Sequence, residues 1–134
     1  MENNWEDRYL LNINSIDEQH KAFFDLCNKE IHQINPQNNN HLTLVIEKLT
    51  DYLKSHFKHE EELLKKSGYK DLENHIKQHK FFIQKVDSLK QELDYNNPVL
   101  NEKITSFMKK WFLNHIIQSD KEYQKTVTKY LKDK

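Results

Sequence analysis

The chain has 134 residues, and its 21 lysines and arginines are balanced by 21 aspartates and glutamates. A chain of this length is expected to form one domain with a sizeable core, here over residues 1–134. The lack of a basic block argues against nucleic acid or an anionic membrane as a partner. Because no run of residues approaches the length of a membrane span, we expect a cytoplasmic protein.

Long helices with short connections are expected, since the chain holds one glycine and two prolines, the residues that most often interrupt helices. An arm precedes the first helix, which is predicted to begin at a capping box formed by Ser15 and Glu18 and to end before Pro36. Gly68 supplies a left-handed residue after the second helix. The predicted helices have these approximate bounds: 15–34, 41–66, 71–95, 99–117 and 121–134.

The first four helices are amphipathic and are joined by short links. They predict an all-α fold, an antiparallel up-down-up-down four-helix bundle over residues 15–120. The N-terminal arm, residues 1–14, and a short C-terminal helix, residues 121–134, flank this bundle. Cys27 lies on an apolar stripe of the first helix and is expected to be a packed thiol.

Ionisable residues stand on the inward stripe of every bundle helix, among apolar residues at spacings of three and four. A buried imidazole or carboxylate is costly unless it is paired or holds a metal. Residues four apart lie one turn apart on the same face, the spacing by which two imidazoles of one helix bind a single ion. In chain order, these residues are His20, His56, Glu60, His75, His79 and His115, with Asp120 just beyond.

Asp120 follows His115 by five residues, which places it about 140° away around an α-helix. A metal site in a bundle core is built from side chains that face one another across the helices. Asp120 is therefore expected to join the site only if the helix loosens after Ile117.

The ordinary interpretation of a single histidine on an apolar stripe is a packed core residue. Five histidines on four stripes, with two carboxylates, favour a metal site instead. His32 and His41 lie off the stripes, and His59 is interpreted as a residue at the rim of the site. Glu61, Glu62 and the neighbouring lysines are interpreted as a solvated face.

Imidazole and carboxylate without thiolate suit iron, zinc, copper or manganese. Seven ligands are too many for one ion and suit two. Two six-coordinate ions offer twelve positions, of which Glu60, Asp120 and one solvent-derived oxygen, acting as bridges, fill six. Five imidazoles raise the total to eleven. The one remaining position, on the ion with fewer histidines, is where a small molecule would bind.

Four segments of this chain resemble the hemerythrin family, specifically its short bacterial single-domain members. These segments are Ile16–Lys21, His56–Glu61, His75–His79 and Trp111–Asp120. The resemblance implies two oxygen-bridged Fe ions, one held by His75, His79 and His115, the other by His20 and His56, with Glu60 and Asp120 as bridges. It also implies that dioxygen is taken up at the iron with two histidines.

Phe57, Trp111 and Ile117 flank predicted ligands and are expected to wall the ligand pocket. Phe24, one turn after His20, is a fourth candidate. Ordinary core packing explains each of these side chains equally well. An apolar wall excludes water and protons, which favours reversible binding over reduction of the bound oxygen.

The first functional hypothesis is a binding protein, not an enzyme: reversible dioxygen binding for storage, delivery, transport or scavenging. The alternatives are a di-iron enzyme that acts on peroxide or nitric oxide, and oxygen or redox sensing through a separate, unidentified protein partner. Ferroxidase chemistry of the ferritin kind is disfavoured because the chain has no Glu-x-x-His motif. No inward acid or base is found beyond the seven ligands, which favours binding over turnover.

Overall fold

The computed structural model describes residues 5–32, 39–92 and 98–134. Each long helix packs against the next, and the first closes against the fourth, which confirms the predicted four-helix bundle. The helices are α1 (Asn14–His32), α2 (Asn39–Ser67), α3 (Leu72–Gln91), α4 (Pro98–His115) and α5 (Lys121–Lys132). A π-helical turn, Ile116–Asp120, joins α4 to α5, and a 3-10 turn, Asp7–Tyr9, precedes α1.

Helix α1 begins one residue before the predicted cap and is anchored by Asp17, not by the Ser15 and Glu18 box. The Asp17 carboxylate accepts a hydrogen bond from the backbone N–H of Leu11 at 2.8 Å. The N–H of Asp17 donates to the carbonyl of Ile13 at 2.8 Å. The predicted end of this helix, at Pro36, lies outside the described residues, and α3 ends at Gln91, before its predicted limit at 95.

The end of α2 has the predicted left-handed glycine. Gly68 has a φ of 72°, a conformation that glycine adopts without steric cost. Its N–H donates to the carbonyl of Lys65, and the N–H of Tyr69 donates to the carbonyl of Leu64. These bonds satisfy the last carbonyls of the helix and turn the chain towards α3.

The predicted C-terminal helix is present as α5, and it continues α4 through the π-helical turn and packs against α2. The N-terminal arm is fastened to it by two hydrogen bonds. Lys121 Nζ donates to the carbonyl of Leu10, and Gln124 Nε2 donates to the carbonyl of Leu11, both at 2.7 Å. The arm therefore holds α5 in place against the bundle.

A polar layer divides the apolar core into two clusters. The larger cluster includes Phe23, Cys27, Leu53 and Phe82, and Cys27 is the buried, free thiol that the sequence predicted. The smaller cluster is formed by Leu11, Ile13, Ile16, Leu64, Tyr123 and Val127. Their burial, worth about 25 cal/mol per Å² of apolar surface, stabilises the bundle on both sides of the polar layer. Across the described ranges, every helix is too short or too polar to cross a membrane.

Candidate metal centre

The seven predicted ligands all lie in the polar layer, and each residue is at most 6% exposed. They are His20, His56, Glu60, His75, His79, His115 and Asp120. Burying this many ionisable groups is costly unless they pair with one another or hold an ion. Helical spacing explains why all of them except Asp120 point inward, since each continues the apolar stripe of its helix.

The ligand atoms form two groups that share Glu60. The three-histidine group consists of Glu60 with His75, His79 and His115, and the two-histidine group consists of Glu60 with His20 and His56. In each group the candidate ligand atoms lie within 4.8 Å of one another. The side chains are thus close enough to surround two separate ions.

Each oxygen of Glu60 faces a different group. Oε1 lies 2.8 Å from His75 Nε2 and 3.0 Å from His79 Nε2. Oε2 lies 3.5 Å from His56 Nε2 and 3.7 Å from His20 Nε2. Glu60 could therefore contact an ion held by either group.

Asp120 is divided between the groups in the same manner. Its Oδ1 lies 3.1 Å from the Nε2 atoms of both His75 and His115. Its Oδ2 lies 3.2 Å from His20 Nε2. Two carboxylates, each with one oxygen towards each group, therefore lie among the Nε2 atoms of five imidazoles.

The π-helical turn explains how Asp120 reaches the site. Its i→i+5 hydrogen bonding accommodates one extra residue and brings residues five apart towards the same face. The helix loosens as expected, but the π-helical turn, Ile116–Asp120, begins before Ile117, the residue after which the loosening was expected. Ser119 Oγ donates to Gln78 Oε1 at 2.6 Å, which ties the turn to α3 between two of its histidines.

The carboxylates and histidines shift one another's pKa. Burial acts to lower the pKa of His20, but Asp120 and Glu60 outweigh it and raise that pKa to about 9. The same balance raises the pKa of His75 to about 10. Burial acts to raise the pKa of Glu60, but the surrounding histidines hold it well below its usual range. A metal ion must therefore displace protons from some of these imidazoles in order to bind.

Four buried polar atoms in the layer make no hydrogen bond: Nδ1 and Nε2 of His20, and Oδ1 and Oδ2 of Asp120. Unpaired buried polar atoms are rare and costly in native proteins. An ion between Asp120 and the histidines would satisfy both Asp120 oxygens and one nitrogen of His20. Nitrogen and carboxylate donors without thiolate suit iron among other ions, so the residues fit a metal-binding site.

Two ligand histidines are oriented by hydrogen bonds on their outer nitrogens. His56 Nδ1 lies 2.7 Å from Gln19 Oε1, and His79 Nδ1 lies 2.7 Å from Glu61 Oε2. The prediction that Glu61 belongs to a solvated face is therefore wrong. Glu62, its neighbour, is exposed as predicted. Helical spacing shows which residues of a helix face the core. It does not show that a residue beside that face, such as Glu61, can reach a neighbouring helix.

Phe57 and Trp111 stack on histidines of the three-histidine group. The Phe57 ring lies 3.8 Å from the His79 ring, centroid to centroid, with an angle of 6° between the planes. The Trp111 ring lies 4.6 Å from the His115 ring, at 11°. These contacts fix the imidazole planes and exclude water from that side of the site.

The other two predicted pocket residues are placed differently. The Phe24 ring packs against Trp5 and Tyr9 in the core and arm, and the ammonium of Lys109 lies above it. Ile117 is half-buried and lines a surface cavity with residues that include Arg8 and Lys110. These contacts involve no ligand histidine, and a pocket role for Phe24 and Ile117 stays a prediction.

Phe112 contacts both histidines of the two-histidine group, and Phe57 also lies beside His56, with 5.9 Å between the ring centroids. The Phe112 ring centroid lies 5.3 Å from that of His20 and 6.4 Å from that of His56. Phe23 packs against it at 4.5 Å. The sequence held a usable signal, because Phe112 precedes His115 by three residues and so shares its helix face.

Tyr123 is an inward polar group that the sequence reasoning did not count. Its side chain is fully buried, and its hydroxyl donates a hydrogen bond to Glu60 Oε2 at 2.8 Å. Burial raises the pKa of Tyr123 well above its usual value, so the phenol keeps its proton. The expectation that no inward acid or base exists beyond the seven ligands is corrected by this residue.

His41 and His59 do not belong to the polar layer. His59 is exposed and lines a surface cavity with Tyr130 and Leu131. Its predicted place at the rim of the site stays a prediction. His41 is half-buried in the first turn of α2. The side chain of His32 lies outside the described part of the chain.

Comparison with known proteins agrees with this arrangement. The family model of the hemerythrin HHE cation binding domain matches residues 11–127. The chain is 32% identical over 124 residues to the bacteriohemerythrin of Clostridium acetobutylicum, covering 89% of this chain and 96% of that protein. It is 31% identical over 112 residues to the bacteriohemerythrin of Methylococcus capsulatus, covering 84% and 86%.

A solved structure of a wild-type hemerythrin superposes on this chain with a TM-score of 0.79 at 28% identity, covering 92% of this chain and 96% of the other. The match therefore extends over both apolar clusters and the polar layer between them. With two histidine groups that share a glutamate inside a four-helix bundle, the chain belongs to the hemerythrin family.

Proposed function

We propose that this protein binds dioxygen reversibly at two irons, for storage, delivery, transport or scavenging of oxygen. The observation that carries the proposal is the unequal division of five histidines into groups of three and two that share Glu60 and Asp120. By the count of coordination positions, the two-histidine group leaves one position for a small ligand. Bound iron would supply the redox chemistry that reversible dioxygen binding requires.

The surroundings of the two-histidine group support binding in preference to turnover. Phe112 covers this group with an apolar ring, and Phe23 packs against Phe112 from behind. This apolar layer excludes water and the protons that reduction of oxygen consumes. Tyr123 lies close enough to the site to be considered as a proton donor. Its pKa is raised well above the usual value, however, which makes it a poor one. Its hydrogen bond holds Glu60 in place between the two groups.

Reversibility is tested by cycling the ferrous protein between air and argon while its visible charge-transfer band is followed. We expect one dioxygen per chain to be taken up and released intact over many cycles, because the pocket offers few protons. Consumption of peroxide and nitric oxide is measured on the same samples. Rapid one-way oxidation, with catalytic loss of either compound, would instead establish the enzyme alternative on the same residues.

The stoichiometry gives a second prediction. Metal analysis is expected to find two irons per chain, and His20→Ala should reduce this to about one and abolish oxygen binding. The reason is that His20 contacts only the two-histidine group, where its Nε2 faces both shared carboxylates. His41→Ala, a histidine outside the polar layer, is the matched control and should retain both irons. Equal losses in the two variants would contradict this assignment.

A further inference from the structure

The two histidine groups differ in what holds the outer nitrogens of their imidazoles. In the three-histidine group, a carboxylate oxygen of Glu61 lies 2.7 Å from His79 Nδ1. In the two-histidine group, the amide oxygen of Gln19 lies 2.7 Å from His56 Nδ1. The corresponding nitrogen of His20 is buried without a hydrogen bond. In the three-histidine group, His79 therefore has a charged partner. In the two-histidine group, His56 has a neutral partner and His20 Nδ1 has none.

The inner nitrogens determine which tautomer is present. His79 Nε2 and His56 Nε2 both point towards Glu60. If these nitrogens bind metal, Nδ1 must carry the proton and donate it outward, because a neutral imidazole has one donor and one acceptor nitrogen. Glu61 and Gln19 then act as acceptors and fix the planes of the two rings.

A carboxylate acceptor and an amide acceptor have different effects on the imidazole. A carboxylate draws the Nδ1 proton more strongly, so that the ring donates more electron density to its metal. An amide fixes the ring with a weaker electronic effect. The Glu61 side chain is 29% exposed, and solvent reduces its field, but the short charge-assisted hydrogen bond acts directly on the ring.

We propose that Glu61 is a positioning residue that makes the three-histidine group the stronger electron donor, while Gln19 leaves the two-histidine group the weaker one. Stronger donation favours the higher charge of ferric iron. An iron held by the three-histidine group would then have the lower reduction potential and would be bound more tightly. The ion of the two-histidine group, where the small ligand binds, is the more weakly held. This inference rests on the proposed pair of irons.

A purely structural role for Glu61 predicts something different. Glu61 lies on α2 and His79 on α3, so their hydrogen bond also fastens two helices together. Loss of that function alone would lower the stability of the protein without changing how the two ions differ in affinity and reduction potential. The experiment therefore needs measurements that distinguish the two groups.

The test compares Glu61→Gln and Gln19→Glu with the control Glu62→Gln, which removes the same charge from an exposed neighbouring residue. Ferrous ion is titrated into each protein against a competing chelator, and reduction potentials are measured on the loaded proteins. His20→Ala identifies which binding step belongs to the two-histidine group. Thermal unfolding of the metal-free variants checks that each is folded.

We expect Glu61→Gln to weaken the tighter ferrous site about 10-fold to 100-fold, the usual effect of losing such a partner, and to raise its potential. Gln19→Glu should strengthen ferrous binding at the weaker site and lower its potential. The affinities and the potentials of the two sites should then become more alike. Glu62→Gln should leave both sites unchanged. If Glu61→Gln does not fold, Gln19→Glu alone decides the question.

The inference is overturned if Glu61→Gln changes neither affinity nor potential, if it changes both sites equally, or if Gln19→Glu leaves the difference between them intact. These results leave the proposed function standing as long as the natural protein holds two irons. A single ferrous ion in the natural protein would overturn the proposed function itself, and this inference with it.

Discussion

Removal of the metal is expected to lower the thermal unfolding midpoint by about 15 °C at neutral pH. An ion present at a hundred times its dissociation constant stabilises the folded state by about 2.7 kcal/mol. Two ions give about 5 kcal/mol, and each kcal/mol moves the midpoint of a domain of this size by roughly 3 °C. Circular dichroism of the chelator-treated and iron-loaded proteins measures the difference.

The metal-free protein should remain helical, because the two apolar clusters persist and the polar groups of the layer partly pair with one another. Its stability should fall as the pH rises. The pKa values of His20 and His75 are raised to about 9 and about 10, against about 6.5 in an unfolded chain. The stability that they contribute is therefore fully present below about pH 6.5 and is lost as the pH rises through these values.

The iron-loaded protein should show the opposite trend between pH 6 and 9. Protons compete with iron for the imidazoles, so acid releases the metal and alkali favours its retention. The gap between the two unfolding midpoints is therefore expected to widen as the pH rises. Equal midpoints would show that the polar layer is equally stable without an ion. Curves that run parallel over this range would show that protons and iron do not compete for these imidazoles.

Glu60→Gln is expected to remove both irons, since Glu60 is proposed to be a ligand that the two groups share. The expected loss of affinity is more than about 100-fold, the upper end for a residue that only holds a ligand in place. The substitution keeps the shape of the side chain but replaces one carboxylate oxygen by an amide nitrogen, which has no lone pair for a metal. Glu60 faces four histidine nitrogens at 2.8 to 3.7 Å. Metal analysis and the loss of the visible bands measure the effect.

Two comparisons make this experiment specific. Glu62→Gln changes an exposed carboxylate two residues further along the same helix and should retain both irons. His20→Ala should retain the ion of the three-histidine group, so the shared ligand and the ligand of one group give different stoichiometries. Two irons in Glu60→Gln would show that the carboxylate does not join the groups and would refute the bridging assignment.

The sequence predicted the bundle and the burial of the candidate ligands because both follow from helical periodicity. His75 and His79 lie on a stripe that Phe82 and Val86 continue, and all four are buried. Periodicity is less decisive at the edge of a stripe. On α2, Leu63 follows Glu60 by three residues and continues its stripe, yet it is only partly buried, whereas Leu64 is fully buried.

Contacts between helices could not be predicted in the same way. Phe24 follows His20 by one turn, yet its ring points to the arm, because Trp5 and Tyr9 provide an aromatic surface there. Glu61 follows the predicted ligand Glu60 in the sequence, but it forms its hydrogen bond with His79 on another helix. Such pairings depend on how neighbouring helices are rotated and offset, which the spacing within one helix does not show.

Tyr123 reaches Glu60 because of one surplus residue in the last helix. Tyr123 follows His115 by eight residues, which in an uninterrupted α-helix amounts to about 80° of rotation. Absorbing one residue in Ile116–Asp120 turns all that follows back by about 100°, leaving the two side chains roughly 20° apart. Val127 is brought to the same side by the same offset. The five-residue interval between His115 and Asp120 thus marks in the sequence the place where the helix is rotated by one extra residue. The side of α5 that faces the bundle depends on this rotation.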